Sequence, residues 1–301
     1  MPILRESTSP TIRTGDECLT TYPYYWGMRV KLLTWNLAGR VRKLPLQVET
    51  ILRHNPDLLC LQEVTKRTDD LLRHALQDHF EYVASSFTPE VSDHDPKGPR
   101  KYGQLIASKF PIIDQPTNLF DVPWRERVTT VVALVNGHEL EIHTTHIPPG
   151  SSNGFIKVEM LEGIYEYFKH PSQRTRLLCG DFNTPKDESV KFGALSFKQY
   201  VTTSGEVRTR KGEQNERWDL AERNIITGLR THGMPDSFRT LHSYETVAHS
   251  FAIRNRGKLF PRRFDHAFAT TDLQPVLAEY QEDEKQLSDH LGLIVVYDWQ
   301  V

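Results

Sequence analysis

The sequence predicts an α/β fold built around a mixed β-sheet. Short apolar runs alternate with amphipathic segments of helical period over residues 30–86, in the order strand, helix, strand, helix, strand. Asn136-Gly137 joins two β-branched runs and favours a tight hairpin, because both residues tolerate a positive φ. The chain has 301 residues, 38% of them hydrophobic, and no Pro/Gly/Ser-rich linker divides it. We therefore expect one large domain rather than two.

The N-terminal part of the chain supplies the first strand and helix units. The predicted helix over residues 44–54 ends before Pro56, because proline disfavours the helical conformation of the residue that precedes it. Residues 1–27 show neither a helical nor a strand period, so we assign them to a surface extension and residues 28–301 to the domain. The other predicted elements here are strands over residues 30–35, 58–61, 82–86 and 103–107 and a helix over residues 69–77.

The C-terminal part contains a second set of strands and helices. Apolar residues at helical spacing predict a helix over residues 155–169, which leads into a buried strand over residues 177–179. We predict a further helix over residues 187–200. The remaining predicted strands are the hairpin pair over residues 129–135 and 139–145 and two strands over residues 267–270 and 291–297.

Charge and cysteine content exclude several classes of protein. A net charge of −2 gives no global attraction to nucleic acid or membrane, so any contact with a polyanion must come from local basic loops. The three cysteines cannot form a disulfide framework, and a reducing compartment fits them best. No apolar run approaches the roughly 18 residues that span a bilayer, and the N-terminus is charged rather than signal-like. We expect a cytoplasmic protein without membrane contact; the sequence leaves its oligomeric state open, with a monomer slightly favoured.

Polar side chains stand at the ends of several predicted strands. Asp181 and Asn183 follow a buried strand, and their spacing of two lets both side chains project the same way from an extended backbone. Open α/β sheets place their chemistry at such carboxyl ends. Taken alone, this segment also fits an Asx turn that caps a helix. The full set of strand-end residues is Asn36, Glu63, His146, Asp181, Asn183, Asp265, Asp289 and His290.

The carboxylates in this set indicate a site for a hard divalent cation. Glu63 and Asp289 offer the oxygen ligands that Mg²⁺ or Mn²⁺ prefers. Zinc is disfavoured, because two of the three cysteines lie in strand-like runs and the histidines show neither His-x-His nor His-Glu-x-x-His spacing. His94 lies between two aspartates in a polar loop, where a solvated acidic loop is favoured over a metal site.

The remaining strand-end residues suit the hydrolysis of a phosphodiester. Such a reaction needs an aligned water and positive charge on the phosphoryl oxygens. Asp181 can activate the water with Asn183 orienting it, and a metal ion and His290 can supply the charge. Asp265 beside His290 would favour the imidazolium form. Ser-His-Asp hydrolysis is less favoured, because no Gly-x-Ser-x-Gly elbow directly follows a predicted strand; the match at residues 150–154 comes after Pro148-Pro149.

Five short motifs occur in an order that resembles a known superfamily. They are Thr34-Trp35-Asn36, Leu61-Gln62-Glu63, Gly180-Asp181-Phe182-Asn183, Arg263-Phe264-Asp265 and Ser288-Asp289-His290. Together they resemble the endonuclease/exonuclease/phosphatase superfamily, which includes exonuclease III, apurinic endonucleases, deoxyribonuclease I, neutral sphingomyelinases and inositol polyphosphate phosphatases. The resemblance implies a deoxyribonuclease I-like fold, a four-layer α/β/β/α sandwich of two mixed β-sheets flanked by helices. It also implies a divalent metal in a cleft at one end.

The resemblance implies a metal site and one departure from the exonuclease III branch. Glu63 corresponds to the principal metal ligand, with Asp289 and Asn36 nearby. Exonuclease III-like enzymes have a tyrosine where this chain has His146. A histidine there resembles deoxyribonuclease I and the phosphatase and lipase branches, where it acts as an acid or a phosphate ligand.

The resemblance also implies roles for the other strand-end residues. Asp181 would activate or align the water with the help of Asn183. His290 would contact the scissile phosphate, and Asp265 would orient that histidine. The segment Asp236-Ser-Phe-Arg239 resembles a segment of the exonuclease III branch that is mainly structural.

Local basic clusters favour a polyanionic substrate. The best candidate covers residues 254–263, where Arg256, Arg262 and Arg263 surround Phe260 and could contact phosphates while the ring stacks on a base. A solvated charge run is the alternative interpretation of any single cluster. Our leading hypothesis is a nuclease that acts on DNA, as an endonuclease or exonuclease or in repair. The alternatives are a phosphatase or phosphodiesterase for a small-molecule or lipid phosphoester, and a catalytically inactive binding module.

Overall fold

The computed structural model describes residues 28–87, 100–115, 117–282 and 286–300. The predicted extension over residues 1–27 lies outside these residues, as does most of the polar loop that contains His94. In chain order the strands are β1 (Met28–Asn36), β2 (Leu58–Val64), β3 (Tyr82–Ser85), β4 (Gly103–Ser108), β5 (Ile112–Asp114), β6 (Val128–Val135), β7 (His138–His146), β8 (Thr175–Asp181), β9 (Asp187–Ser189), β10 (Gly193–Leu195), β11 (Gln199–Val201), β12 (Val207–Thr209), β13 (Phe251–Asn255), β14 (Lys258–Arg262), β15 (Asp265–Ala269), β16 (Leu273–Tyr280) and β17 (Leu293–Trp299).

Local sequence signals set the ends of the helices. Thr65 caps the second helix by accepting a hydrogen bond from the Thr68 amide (3.2 Å), so this helix begins three residues before its predicted start at residue 69. Asn55 ends the first helix in the left-handed conformation at φ 46°. None of the helices of the described residues is long and apolar enough to cross a bilayer. The helices are α1 (Leu44–His54), α2 (Lys66–Leu76), α3 (Gly150–Asn153), α4 (Ile156–Phe168), α5 (Glu213–Arg223) and α6 (Ser237–Leu241).

Two mixed sheets form the centre of the fold. One has six strands in the order β16-β17-β1-β2-β4-β3, and only the β1/β2 pair within it is parallel. The other has five strands in the order β15-β8-β7-β6-β5, and its parallel pair is β7/β8. The β6-β7 hairpin turns at Asn136-Gly137 as predicted, with both residues at positive φ.

Strand alternation divides the core into three clusters. Leu32 and Cys60 on the first sheet share a cluster with Ile142 and Leu177 on the second, so the two sheets pack face to face. Neighbouring residues on the same strands point outward and pack against α1 and α2 on one side and against α4 and α5 on the other. The predicted four-layer sandwich is therefore confirmed.

Most of the elements that were wrongly predicted or not predicted from the sequence lie between β8 and β15. Residues 187–200 do not form the predicted helix; they contribute β9, β10 and the start of β11. Gly193 has a φ of 65° and pairs with Ser189, which fixes a small hairpin rather than a helical turn. The polar or mixed sequences of α5, the β13-β14 hairpin and β16 lack a clear period, so these elements were not predicted.

Candidate active site

The predicted strand-end residues come together because the parallel pairs of both sheets end at the same side of the sandwich. Asn36 is paired with Gln62 at the ends of β1 and β2. His146 is paired with Asp181 at the ends of β7 and β8, and Asp181 is also paired with Asp265 of β15. Gly180 is required here, because it has a φ of 133° and an added Cβ would lie 2.0 Å from the Thr145 carbonyl oxygen.

Asp181 occupies the centre of the site and is fixed by two amides. Its Oδ2 accepts hydrogen bonds from Asn36 Nδ2 (3.0 Å) and Asn183 Nδ2 (3.3 Å), and its Oδ1 accepts one from the Asn183 backbone N–H (2.9 Å). The Asn183 amide also donates to the Ile147 carbonyl (2.8 Å), which fixes its orientation. Burial raises the pKa of Asp181 to about 7 and outweighs the opposing effect of His290. A carboxylate with this environment is suited to accept a proton near neutral pH.

His290 forms a buried ion pair with Asp265. Its Nδ1 donates to Asp265 Oδ2 (2.7 Å), and its Nε2 lies 3.7 Å from Asp181 Oδ2. Burial alone would lower the pKa of the His290 imidazole, but the charges of Asp265 and Asp181 outweigh it and raise the pKa to about 10. The imidazolium therefore presents a fixed positive charge beside Asp181, as the sequence analysis predicted.

His146 has the opposite electrostatic environment. Arg127 Nη1 donates to His146 Nδ1 (2.6 Å), so Nδ1 is an acceptor and Nε2 carries the proton. Burial, together with the charges of Arg127 and His290, holds the pKa of His146 well below its usual value. The neutral ring directs Nε2 toward Glu63 Oε1 (3.6 Å) and Asp181 Oδ2 (3.7 Å). The site thus holds one charged and one neutral histidine.

Glu63 is held in an unusual backbone conformation. It has a φ of 54° within an irregularity of the β2/β4 pairing, and non-glycine residues in this region are often functional. Its side chain is 16% exposed, and burial raises its pKa. Within the described parts of the chain, no Lys or Arg forms an ion pair with it. Asp289 lies at the mouth of the same cleft, half exposed and 3.6 Å from Arg40 Nη2.

Asp181, Asp265 and His290 also have the spacing of a possible metal cluster, with potential ligand atoms within 4.8 Å of one another. However, His290 Nδ1 already donates to Asp265, and an imidazolium does not bind a cation. Glu63, a largely buried carboxylate that forms no ion pair with a Lys or Arg of the described residues, is the better fit to a hard divalent ion.

The three arginines predicted to bind substrate lie in different environments. Arg256 is exposed at the tip of the β13-β14 hairpin. Arg262 is mostly buried at the foot of that hairpin. The prediction for Arg263 is wrong, because its guanidinium is 1% exposed and its Nη2 donates to Glu188 and Asp236 (both 2.8 Å). Arg263 is a structural residue that cannot reach a substrate.

We expect Arg263→Met to lower the free energy of unfolding by about 3–5 kcal/mol, because it removes from two buried carboxylates the cation that they share. Burial would raise the pKa of Glu188, but the charges of Arg263 and Arg239 lower this pKa to about 2. The ionised Glu188 carboxylate therefore depends on both arginines. Urea unfolding followed by circular dichroism measures the effect. Arg256→Met, at the exposed hairpin tip, is the matched control and should change stability by less than about 0.5 kcal/mol. Equal stability of the two variants would contradict the structural role.

Aromatic side chains that the sequence analysis did not identify form one wall of the cleft. The cleft has a volume of about 620 Å³ and contains Glu63, His146, Asp181 and His290. The Phe251 ring lies 4.6 Å from the His290 ring. The wall residues have only a weak signal in the sequence, because they come from segments far apart in the chain. The wall residues are the aromatic Phe197, Trp218, Phe251 and Phe264 and the aliphatic Ile253.

A buried ion pair connects this aromatic wall to the loop that contains Asn183. Lys157 Nζ donates to Glu222 and to the Asn183 carbonyl (2.8 Å). Glu222 also accepts hydrogen bonds from Trp218 Nε1 (2.8 Å) and from the Phe197 backbone N–H (2.7 Å). One carboxylate therefore fixes two wall residues and the lysine that contacts the Asn183 loop.

A second groove, with a larger volume of about 740 Å³, lies at the opposite end of the sandwich. It is lined by residues from the start of β7 and β8 and the end of β17. Its Glu139 and Arg174 pair with each other (2.6 Å), and it contains none of the strand-end residues. The chemistry is therefore assigned to the smaller cleft.

Comparison with known proteins identifies relatives for this arrangement. A sequence profile of the Endonuclease/Exonuclease/phosphatase family matches residues 33–290. No curated protein sequence matches the chain. An AP endonuclease from Archaeoglobus fulgidus is 20% identical, with a TM-score of 0.61 over 89% of this chain and 99% of that protein. D. rerio TDP2, solved with a single strand DNA product, is 12% identical, with a TM-score of 0.60 over 89% of this chain and 98% of that protein. These structures confirm the deoxyribonuclease I-like fold.

Proposed function

Because this chain belongs to the endonuclease/exonuclease/phosphatase family and is therefore a phosphoester hydrolase, we propose that it is a divalent-metal-dependent phosphodiesterase that hydrolyses DNA. The observation that carries the proposal is the position of Asp181 between the His290 imidazolium and Asn36, in a cleft with an aromatic wall. Aromatic rings beside a phosphate site suit the stacking of bases. The similar D. rerio TDP2 structure holds a single strand DNA product, which supports a nucleic acid substrate.

In the proposed reaction, Asp181 takes the proton from the attacking water. The amides of Asn36 and Asn183 hold its carboxylate in one orientation, so the water is aligned before the reaction begins. The His290 imidazolium stabilises the negative charge that develops on the phosphoryl oxygens, and Asp265 keeps it protonated and oriented. The neutral His146 donates a hydrogen bond from Nε2–H to a phosphoryl or leaving oxygen, and Arg127 fixes this tautomer.

The donor set of the cleft fits a hard divalent ion. Glu63 would hold it as the principal ligand with Asp289, which lines the same cleft. Asn36 would assist through its side-chain oxygen Oδ1, which also accepts a hydrogen bond from the Ala38 N–H (2.9 Å). A bound Mg²⁺ or Mn²⁺ supplies Lewis acidity, which polarises the phosphoryl group and stabilises the leaving oxygen. The buried Glu63 carboxylate, which forms no ion pair with Lys or Arg within the described parts of the chain, is the observation that supports this assignment.

The test is hydrolysis of labelled single-stranded, double-stranded and abasic-site DNA with Mg²⁺ and with Mn²⁺. We expect the protein to cleave DNA. EDTA should stop the cleavage, and addition of either Mg²⁺ or Mn²⁺ should restore it. Glu63→Gln is expected to lower it by about 100-fold, because the amide keeps the shape of the side chain but removes the charge that binds the cation. Activity that persists in EDTA would contradict the metal assignment. Intact DNA together with hydrolysis of an inositol phosphate or a phospholipid would instead identify a small or lipid phosphoester as the substrate.

A further inference from the structure

Four cationic residues lie at the feet of the three small hairpins between β8 and β15. Lys186 directly precedes β9, Lys198 directly precedes β11, Arg210 directly follows β12 and Arg262 ends β14. We call these four residues the hairpin-foot cluster. Lys186 Nζ donates to the Gln199 carbonyl (2.7 Å), and the Arg210 backbone N–H donates to the Lys198 carbonyl (2.9 Å). The fold therefore gathers residues from separate segments into one positively charged surface.

The positive charge of this cluster is only partly compensated by nearby carboxylates. The Arg262 side chain is 14% exposed, and among the described residues its Nε has no hydrogen-bond partner. The carboxylate that pairs with Arg262 Nη1 is that of Asp187, which is 3.8 Å away and 56% exposed. Burial and the charges of Arg210 and Arg262 lower the pKa of Lys186. A buried donor without a partner costs free energy unless a ligand satisfies it.

Other acidic residues on these segments are already engaged with cations outside the cluster. Glu188 pairs with Arg239 (2.7 Å) and with Arg263. Glu206 pairs with Arg208 (2.7 Å). Asp219 pairs with Arg223 (2.9 Å). The cluster is thus left with a positive excess that an anionic ligand could neutralise.

The cluster is continuous with the cleft. Lys198 Nζ lies 4.4 Å from the Trp218 ring centre in the cleft wall. Arg262 is paired across the β13-β14 hairpin with Phe251, whose ring lies 4.6 Å from that of His290. Paired residues of an antiparallel hairpin point to the same face. A chain of phosphates that leaves the catalytic centre could therefore pass directly onto the cluster.

We propose that the hairpin-foot cluster binds the phosphates of a single nucleic acid strand whose scissile phosphate lies at Asp181 and His290. This inference rests on the proposed function and extends it, because it assigns a second phosphate-binding site beyond the catalytic one. A mononucleotide ester has a single phosphate and can fill only one of the two sites, whereas a strand of several nucleotides carries phosphates for both. The cluster would thus select an oligonucleotide over a mononucleotide ester.

Binding of fluorescein-labelled oligothymidylates, measured by fluorescence anisotropy, tests this proposal without relying on turnover. The protein carries Asp181→Asn and is kept in EDTA, so the ligand stays intact. We expect dT12 to bind at least about tenfold more tightly than dT2, and Lys186→Gln/Arg210→Gln to remove most of that gain. Loss of two phosphate contacts should also reduce the magnitude of the slope of the log association constant against the log salt concentration by about 1.4 for a single strand.

Arg29→Gln/Arg53→Gln is the matched control. It removes the same charge from exposed residues at the start of β1 and the end of α1, at the opposite end of the sandwich. Arg210→Gln alone, at an exposed position, covers the case in which the Lys186 substitution disturbs folding. Equal affinity for dT2 and dT12, or equal losses in the test and control variants, would overturn the proposal. Binding through the cluster without DNA cleavage by the wild-type protein would contradict the proposed function alone.

Discussion

Replacement of Asp181 by asparagine is expected to lower kcat for DNA hydrolysis by about 10³-fold or more, because it removes the proposed general base. The amide has the same shape and can still accept a hydrogen bond from Asn36 Nδ2. KM should change far less than kcat, because the substitution leaves the phosphate-binding charges in place. Steady-state kinetics on a labelled oligonucleotide with saturating Mg²⁺ measures both parameters.

The same variant should keep its fold. Burial raises the pKa of Asp181 to about 7, so the ionised carboxylate is held at a free-energy cost that an amide does not carry. We therefore expect a melting temperature in EDTA at or above that of the wild type. Asp298→Asn, at an exposed position paired with Arg29, is the control for loss of one carboxylate and should keep full activity. A melted Asp181→Asn protein would indicate a structural turn, and wild-type activity would remove Asp181 from the mechanism.

The cluster of strand-end residues could be predicted from the sequence because these residues follow strongly patterned strands. Asn36, Glu63 and Asp181 each end a short apolar run, and parallel strands bring such ends to one side of a sheet. The resemblance to the superfamily rested on the same residues, and the family match confirms it. Strand periodicity thus predicted the fold and the side of the sandwich at which these strand-end residues meet.

The surroundings of the cluster could not be predicted in the same way. Arg263 precedes Asp265 by two residues and was taken for a substrate contact, yet its side chain is buried against Glu188. Nothing in the local sequence indicates that pairing, because Glu188 is far away in the chain. Trp218 and Phe251 likewise reach the cleft only through α5 and the β13-β14 hairpin, two elements whose charged or mixed sequences show no clear period.

His290→Gln is expected to lower kcat by about 10²–10³-fold, because it removes a preorganised positive charge from the proposed transition state. The glutamine amide can still donate a hydrogen bond toward Asp265, so the variant separates charge from hydrogen bonding. Asp265→Asn provides an independent test of the same charge. It removes the main partner that keeps His290 protonated, and we expect it to lower kcat by at least about tenfold while leaving the imidazole in place.

His74→Gln, on the exposed face of α2, is the control for loss of a histidine and should retain wild-type kinetics. A substitution that only loosened the cleft would raise KM and lower the melting temperature together. Loss of transition-state stabilisation should instead appear in kcat at an unchanged melting temperature. A His290→Gln protein with kcat within threefold of the wild type would show that the imidazolium does not stabilise the reaction. The positive charge at the phosphate would then have to come from Arg127 or from the bound cation.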